Sequence, residues 1–525
     1  VPEVARRLIR AFWPGALSLV LPGVGWRRLR WHGVAMLRGR PVGLWWHSSD
    51  VWWIAAVFGI MLGACADRYG YHRDELYFLA SGRHPAWGYP DQPPLTPMLA
   101  RAMSALDPNS LVLLRVPAIV AATLVVLCAG WMAGEFGGRR AARALAAGTV
   151  AASELVMATG HLLSTATFDL AAWSVIVVLV LKVLRKHADP RWWLAIGPAV
   201  GIGVMNKALL VLPMTALVVA LLMVGPRKVF ATKYFPLAVG IALLMWLPYL
   251  WWQAQHGWPQ WQLSRSIAGG SSGTSSTRAQ FVLLQAGLMG PLLVPLWAFG
   301  WWRLWKQPRW RAVPVAYVLL FLALLVSGGK AYYLGGMYPV LESAAAVPVA
   351  GWLAAHRKYW PAAVSVVAVS ALVAAVLFLP VLPAGAQRSA VLRAVNYDGA
   401  ETIGWPTYVR EIADARTRYA PTAELLTTNY GEAGAIERFG APYGLPTPHS
   451  GHNSYWYWGP PPGSSQVLTI GLTRPTVERI CVNPTPAGHL DNGLGIRNDE
   501  QYAALFVCAP RAPWSAIWPH LQGLG

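Results

Sequence analysis

Residues 67–95 read DRYGYHRDELYFLASGRHPAWGYPDQPPL. This one stretch gathers Asp67, Arg68, His72, Arg73, Asp74, Glu75, Arg83, His84, Asp91 and Gln92 among Tyr and Trp. No other part of the first 390 residues is so dense in ionisable and aromatic groups. Long apolar runs lie on both sides of it. A charged, aromatic-rich loop held between membrane spans has the make-up of a reaction centre at a bilayer surface.

Composition sets the class around that loop. The chain has 525 residues, 55% hydrophobic and 13% charged, with a mean hydropathy of +0.40. A soluble globular protein carries about 25% charged residues. Trp, which favours the membrane–water interface, occurs 29 times. These values imply a polytopic α-helical membrane protein. The net charge of +20 does not point to nucleic acid, because most basic residues sit in short loops between apolar runs, where they act as a topology signal.

Eleven apolar segments are predicted as spans, at roughly 48–66, 111–133, 141–161, 166–184, 192–206, 208–225, 234–252, 281–304, 312–328, 334–354 and 361–381. With the N-terminus inside, the inner loops are basic throughout: Gly137–Arg140, Lys182–Arg191, Arg227–Lys233, Arg303–Arg311 and His356–Lys358. The outer loops, 67–110 and 253–280 among them, carry more acids, aromatics and glycines. The alternation predicts a multi-pass protein of the plasma membrane with a cytoplasmic N-terminus.

Three parts follow. Residues 1–47 form a basic, Trp-rich cytoplasmic or interfacial segment, whose apolar piece Phe12–Val24 is too short to span. Residues 48–385 form the transmembrane domain with its outer loop 67–110. Residues 386–525 form an extracytoplasmic α/β domain after the Pro/Ala/Gly linker at Pro380–Gln387. Within it, strands are predicted at Ala423–Thr428, Gln466–Gly471 and Ala503–Cys508, and helices at Thr407–Arg418 and Gly431–Phe439. Cys481 and Cys508 fall there, on the oxidising side, either bridged or as two buried thiols.

The loop carries the chemistry. Gly70 breaks the chain, and Asp74 opens a short amphipathic helix to Ala80. An Asp at a helix start has two readings: a cap for the orphan N–H groups, or a carboxylate that takes a proton from an incoming hydroxyl. Trp87–Leu95 holds three prolines and is stiff. It returns Asp91 towards Asp74. Asp169 is an acid inside a predicted span, a costly placement that reads as functional or, equally, as a buried structural partner for an Arg or Lys. Lys207 and Lys330 stand at outer span ends, as phosphate ligands or as snorkelling side chains.

These residues form an ordered set. Arg73-Asp74-Glu75-Leu76-Tyr77 is followed by Asp91-Gln92-Pro93-Pro94-Leu95, Thr167-Phe168-Asp169, Asn206-Lys207 and Lys330-Ala331-Tyr332-Tyr333-Leu334. The set resembles the GT-C glycosyltransferases, in particular the group of protein O-mannosyltransferases and bacterial aminoarabinose transferases for lipid A, over about residues 70–385. The tail from Asp491 to Gln501 is similar to actinobacterial members.

The resemblance implies transfer of a hexosyl or pentosyl group, with inversion, from a polyprenyl-phosphate sugar donor to an extracytoplasmic protein, lipid or envelope glycan. It implies Asp74 and Glu75 as catalytic acids, with Asp74 the general base. Lys207, Lys330 and Arg73 would bind the donor phosphate, and Tyr77, Gln92, Asp169, Tyr332 and Tyr333 would support substrate. Asp91, with His161, would be a ligand of a divalent metal ion. The implied partners are the donor, the acceptor and membrane lipids, with no nucleic acid. Two rival readings are a transporter or flippase of lipid-linked sugars and a non-catalytic envelope-binding scaffold. No internal repeat of the transporter kind is present in the sequence, and the ionisable groups gather at one face.

The orientation has a direct check. A cysteine at Ser272 and one at Gln307 should react with an impermeant reagent from opposite sides of the membrane. Equal access from outside would overturn the orientation.

Overall fold

Apolar runs without water must close their own backbone hydrogen bonds, and helices do so within one segment. All eleven apolar segments are helical in the computed structural model, which describes residues 49–269 and 277–524. The interfacial segment expected within residues 1–47 and position Ser272 lie outside the described residues.

Length separates these helices. A span needs about 20 residues. Four helices among the described residues are long and apolar enough: Leu111–Glu135, Thr165–Val183, Tyr234–Gln255 and Arg357–Phe378. Two bent pairs raise the number to six if each is one span: Arg140–Ala151 with Glu154–His161, bent by 61°, and Arg278–Leu288 with Pro291–Trp305, bent by 79°. The second bend follows from its residues. Gly290 takes φ +91°, a left-handed conformation open to glycine, and Pro291 has no N–H to continue the helix. The other apolar helices are shorter, like the 16-residue Ser49–Ala64. Helix lengths alone therefore give four to six spans where the sequence predicts eleven. Leu111–Glu135 and Thr165–Val183 run through the interior, 50% and 67% buried, whereas Tyr234–Gln255 and Arg357–Phe378 are peripheral at 11%.

The polar loop between Ala64 and Leu111 folds into two helices, Arg73–Arg83 and Leu95–Leu106. The first is amphipathic and exchanges its buried face with the C-terminal part of the chain. Leu76, Tyr77, Phe78 and Leu79 share one core with Trp405, Val409, Ile412, Leu425, Ile436, Leu468 and Val507. Two glycines let the Tyr430–Phe439 helix approach. A Cβ at Gly434 would stand 2.9 Å from Leu76 Cβ, and one at Gly431 would stand 3.0 Å from Arg73 Cβ.

The C-terminal part contains a five-stranded sheet: β1 (Glu424–Thr427), β2 (Pro448–Ser450), β3 (Val467–Ile470), β4 (Cys481–His489) and β5 (Ala504–Pro510). Their order is β2-β1-β3-β5-β4. β1 runs parallel to β2 and β3, with Leu425 beside Pro448 and Leu468, while β5 is antiparallel to β3 and β4. The three strands predicted from sequence are the interior ones. The two unpredicted strands are the edges, and both contain proline. Proline removes a ladder donor and is confined to such edges.

Cys481 and Cys508 are joined in a disulfide across β4 and β5, with Cα atoms 5.7 Å apart and 27 residues of separation. Closing a loop of that length stabilises the fold by about 3.5 kcal/mol in the chain-entropy account. Mass spectrometry of a non-reduced digest should show the two peptides linked. Two free thiols in fresh membranes would refute the bridge.

Candidate active site

The Arg73–Arg83 helix begins with a reciprocal cap. Glu75 Oε2 accepts the His72 backbone N–H at 2.8 Å, and His72 Nδ1 accepts the Asp74 N–H at 3.2 Å. The cap residue is His72, so Asp74 does not open the helix as the sequence suggested; it is the second helical residue. Its carboxylate is partly exposed, 38% on the side chain. Oδ1 accepts the Tyr430 hydroxyl at 2.8 Å.

Glu75 has the opposite environment. It is fully buried, and its two oxygens take four hydrogen bonds. Arg115 Nε and the Leu163 N–H reach Oε1 at 2.8 and 2.9 Å; Arg115 Nη2 and the His72 N–H reach Oε2, each at 2.8 Å. Burial alone would raise its pKa. The Arg115 guanidinium overrides that and holds the carboxyl below its usual value. Every acceptor site of the Glu75 carboxylate is thus occupied, in contrast to the partly exposed Asp74.

Of the expected lysines, Lys330 lies within electrostatic reach of both Asp74 and Lys207. Lys207 Nζ sits 4.9 Å from the ring centroids of both Tyr332 and Tyr333, a cation–π arrangement. The preceding Asn206 is buried and locked, accepting from Thr96 Oγ1 at 2.7 Å and donating to Thr165 O at 2.8 Å. Burial and the neighbouring Lys207 charge push the Lys330 ammonium below its usual pKa, and Asp74 and Asp398 act on it in the opposite sense. Asp169 lies within electrostatic reach of Lys207, with Oδ1 buried and unpaired. Asp74, Asp169, Lys207, Lys330, Tyr332 and Tyr333 are thus brought into one neighbourhood.

Residues 91–252 match the family model of dolichyl-phosphate-mannose-protein mannosyltransferase. By structure the chain is similar to ArnT from Cupriavidus metallidurans in the apo state, with a TM-score of 0.58 and 14% identity over 88% of this chain and 98% of that one. The same protein bound to undecaprenyl phosphate gives 0.54 and 15%, with the same coverage. The fold is that of the GT-C glycosyltransferases. A separate 41-residue stretch is 56% identical to a Mycobacterium leprae (strain TN) protein named as a threonylcarbamoyl-AMP synthase; it covers 7% of this chain, and the chain spans 19% of that protein's length.

On this GT-C frame the remaining expected residues take other places. Arg73 Nη1 is bound by Asp499 at 2.5 Å and Glu401 at 3.4 Å. It was expected on the donor phosphate; two carboxylates claim it instead. Tyr77 is buried and donates to Asp91 Oδ1 at 2.7 Å, with Ser454 Oγ 2.5 Å from its hydroxyl. Its ring lies 4.7 Å from that of Tyr430. Burial pushes the Asp91 carboxyl up to about 7, against the lowering effect of the Tyr77 hydrogen bond. Gln92 is buried, and its main-chain carbonyl accepts from the Tyr89 N–H at 2.9 Å. These bonds make the Pro-rich loop a supporting wall.

The residues do not fit the metal ion that the resemblance implied. No group of three or more His, Cys, Asp or Glu side chains that could hold one occurs among the described residues. His161 lines a small cavity of ~20 Å3 with Asp398, Asn396 and Gln387, and Asp91 is not in its wall. An Asp91–His161 pair would lack a third protein ligand, and zinc sites carry three or four.

Two contributors escaped sequence reading. Arg115 stands alone in the run LVLLRVPAIV, and a cation within a span is a readable signal. Tyr430 follows Asn429, which caps its helix and forms a box with Glu432. That signal marks the helix start but not the contact with Asp74.

Replacing Glu75 with Ala would leave the Arg115 guanidinium buried without its counter-charge. The expected loss is about 3–5 kcal/mol, read as a lowered unfolding temperature or failed insertion. Unchanged thermal stability would remove the positioning role.

Proposed function

We propose that this chain is a membrane glycosyltransferase that moves a sugar, with inversion, from a polyprenyl-phosphate donor to an acceptor hydroxyl or amine outside the cytoplasm. The observation that carries the reading is the state of Asp74. It is a partly exposed carboxylate, free of the capping task, oriented by Tyr430, with Lys207 and Lys330 close by. The bound undecaprenyl phosphate of ArnT supports a donor of that class. In this reading residues 48–385 span the membrane, and residues 386–525 form an outer α/β domain that closes the site.

The roles follow from charge. The acceptor oxygen attacks the anomeric carbon as the bond from that carbon to the phosphate oxygen breaks. The acceptor proton passes to Asp74 late in bond formation, because the acceptor is a far weaker acid than a carboxylic acid. The leaving group is an anionic phosphate, which needs cations more than a proton. Lys207 and Lys330 supply them. Tyr332 and Tyr333 flank the first ammonium, and Asp169 balances it.

The test compares envelope glycans, lipids and proteins by mass spectrometry from cells with the wild-type gene, with Asp74→Asn and without the gene. Asn can still accept from Tyr430, and the cap on His72 is untouched. The transfer rate should fall by roughly 10²–10⁴ in a stable, inserted variant. Transfer within a few-fold of wild type would reject Asp74 as the base.

The lysines have a binding readout. Lys207→Gln or Lys330→Gln should weaken binding of undecaprenyl phosphate while the unfolding temperature stays near that of wild type. Wild-type affinity in both variants would remove the phosphate role.

A further inference from the structure

A second cationic site lies at the far end of the helices that carry the first. The Thr165–Val183 helix starts near Asp169 and Lys207 and runs for 19 residues, about 28 Å at 1.5 Å per residue. Beyond its end a cavity of about 550 Å3 opens among three chain segments, 183–186, 224–229 and 308–309. Its polar wall is Arg185, Lys186 and Arg309; its apolar wall includes Leu184, Val224 and Val229. Among the described residues no carboxylate lines it.

Near the cavity Glu135 pairs with both Lys182, at 3.6 Å, and Arg185. Arg309 is close enough to Arg185 to feel its repulsion. The Arg309 Nε donates to the Leu184 carbonyl, and its Nη2 is buried with no hydrogen-bond partner. A buried donor without an acceptor is costly. Among the described residues the cavity wall thus carries the cations Arg185, Lys186 and Arg309.

We propose that this cavity binds the phosphate headgroup of an anionic phospholipid. A phosphodiester supplies the acceptor that Arg309 Nη2 lacks and the charge that Lys186 and Arg185 share. The apolar wall, at the ends of membrane helices, takes the start of the acyl chains. A free phosphate ester offers the same charge but leaves that wall uncovered. Basic pockets between membrane helices hold acidic lipid headgroups by this combination. The site is separate from the donor site, and the proposal does not rest on the glycosyl-transfer reading.

The experiment uses the delipidated full chain in detergent and native mass spectrometry. Dioleoylphosphatidylglycerol, dioleoylphosphatidylcholine and glycerol 3-phosphate are titrated separately. Phosphatidylglycerol should bind about tenfold or more tightly than phosphatidylcholine. Arg309→Gln and Lys186→Gln should each remove that preference, while Lys306→Gln, outside the cavity wall, should keep it. Lys186 is exposed, so its variant carries the test if Arg309→Gln fails to fold. Equal binding of the two lipids, or an undiminished preference in Lys186→Gln, would overturn the proposal. So would glycerol 3-phosphate binding as tightly as phosphatidylglycerol, which would mark a site for free phosphate esters.

Discussion

The buried Glu75–Arg115 pair is the constraint on which the site depends. Two charges taken out of water are tolerated only when every lone pair and proton is met. Here the chain itself fills the acceptor positions of Glu75 and gives each of the three guanidinium nitrogens a partner. Beyond its two bonds to Glu75, Arg115 donates to Ala66 O at 2.9 Å and Gly70 O at 2.7 Å. Glu75 in turn takes the N–H groups of His72 and Leu163. One ion pair therefore joins the end of the first helix, the loop helix, the Leu111–Glu135 helix and the turn before Thr165. Successive residues on a helix point about 100° apart. The rotation that buries Glu75 also turns Asp74 towards Tyr430. Positioning and exposure come from the same two adjacent carboxylates, one saturated and one open.

On the other wall the balance is reversed. Lys207 and Lys330 are half-buried close together, and Lys207 lies against the rings of Tyr332 and Tyr333. Aromatic faces attract an ammonium without neutralising it, so the positive potential remains available to an anion. Arg73, by contrast, is salt-bridged, bound by Glu401 and Asp499. It fixes the C-terminal part of the chain to the loop helix.

Much of this was legible in the sequence, for reasons that also mark the limits. Apolar runs give helices irrespective of partners, so all eleven segments could be read. How many cross a bilayer depends on length and bends, such as the one at Gly290-Pro291, which hydropathy does not register. Interior strands β1, β3 and β5 are apolar and continuous; edge strand β4 reads CVNPTPAGH, whose prolines resemble a loop. Asp74 looked like a cap because aspartate caps well and histidine rarely does. Arg73 looked available because the carboxylates that claim it lie more than 300 positions away. Pairings over such distances leave no local trace.

The Tyr430–Asp74 hydrogen bond closes a separation of 356 residues. At about 5–20 residues per second, roughly 20–70 s pass between synthesis of the two partners. The helical part can insert during that interval, but its carboxylate then stands without the hydroxyl that orients it. Gly431 and Gly434 must also arrive before the loop helix can bury Leu76. The geometry around Asp74 is therefore completed only when residues 430–439 have been made and docked on the loop helix.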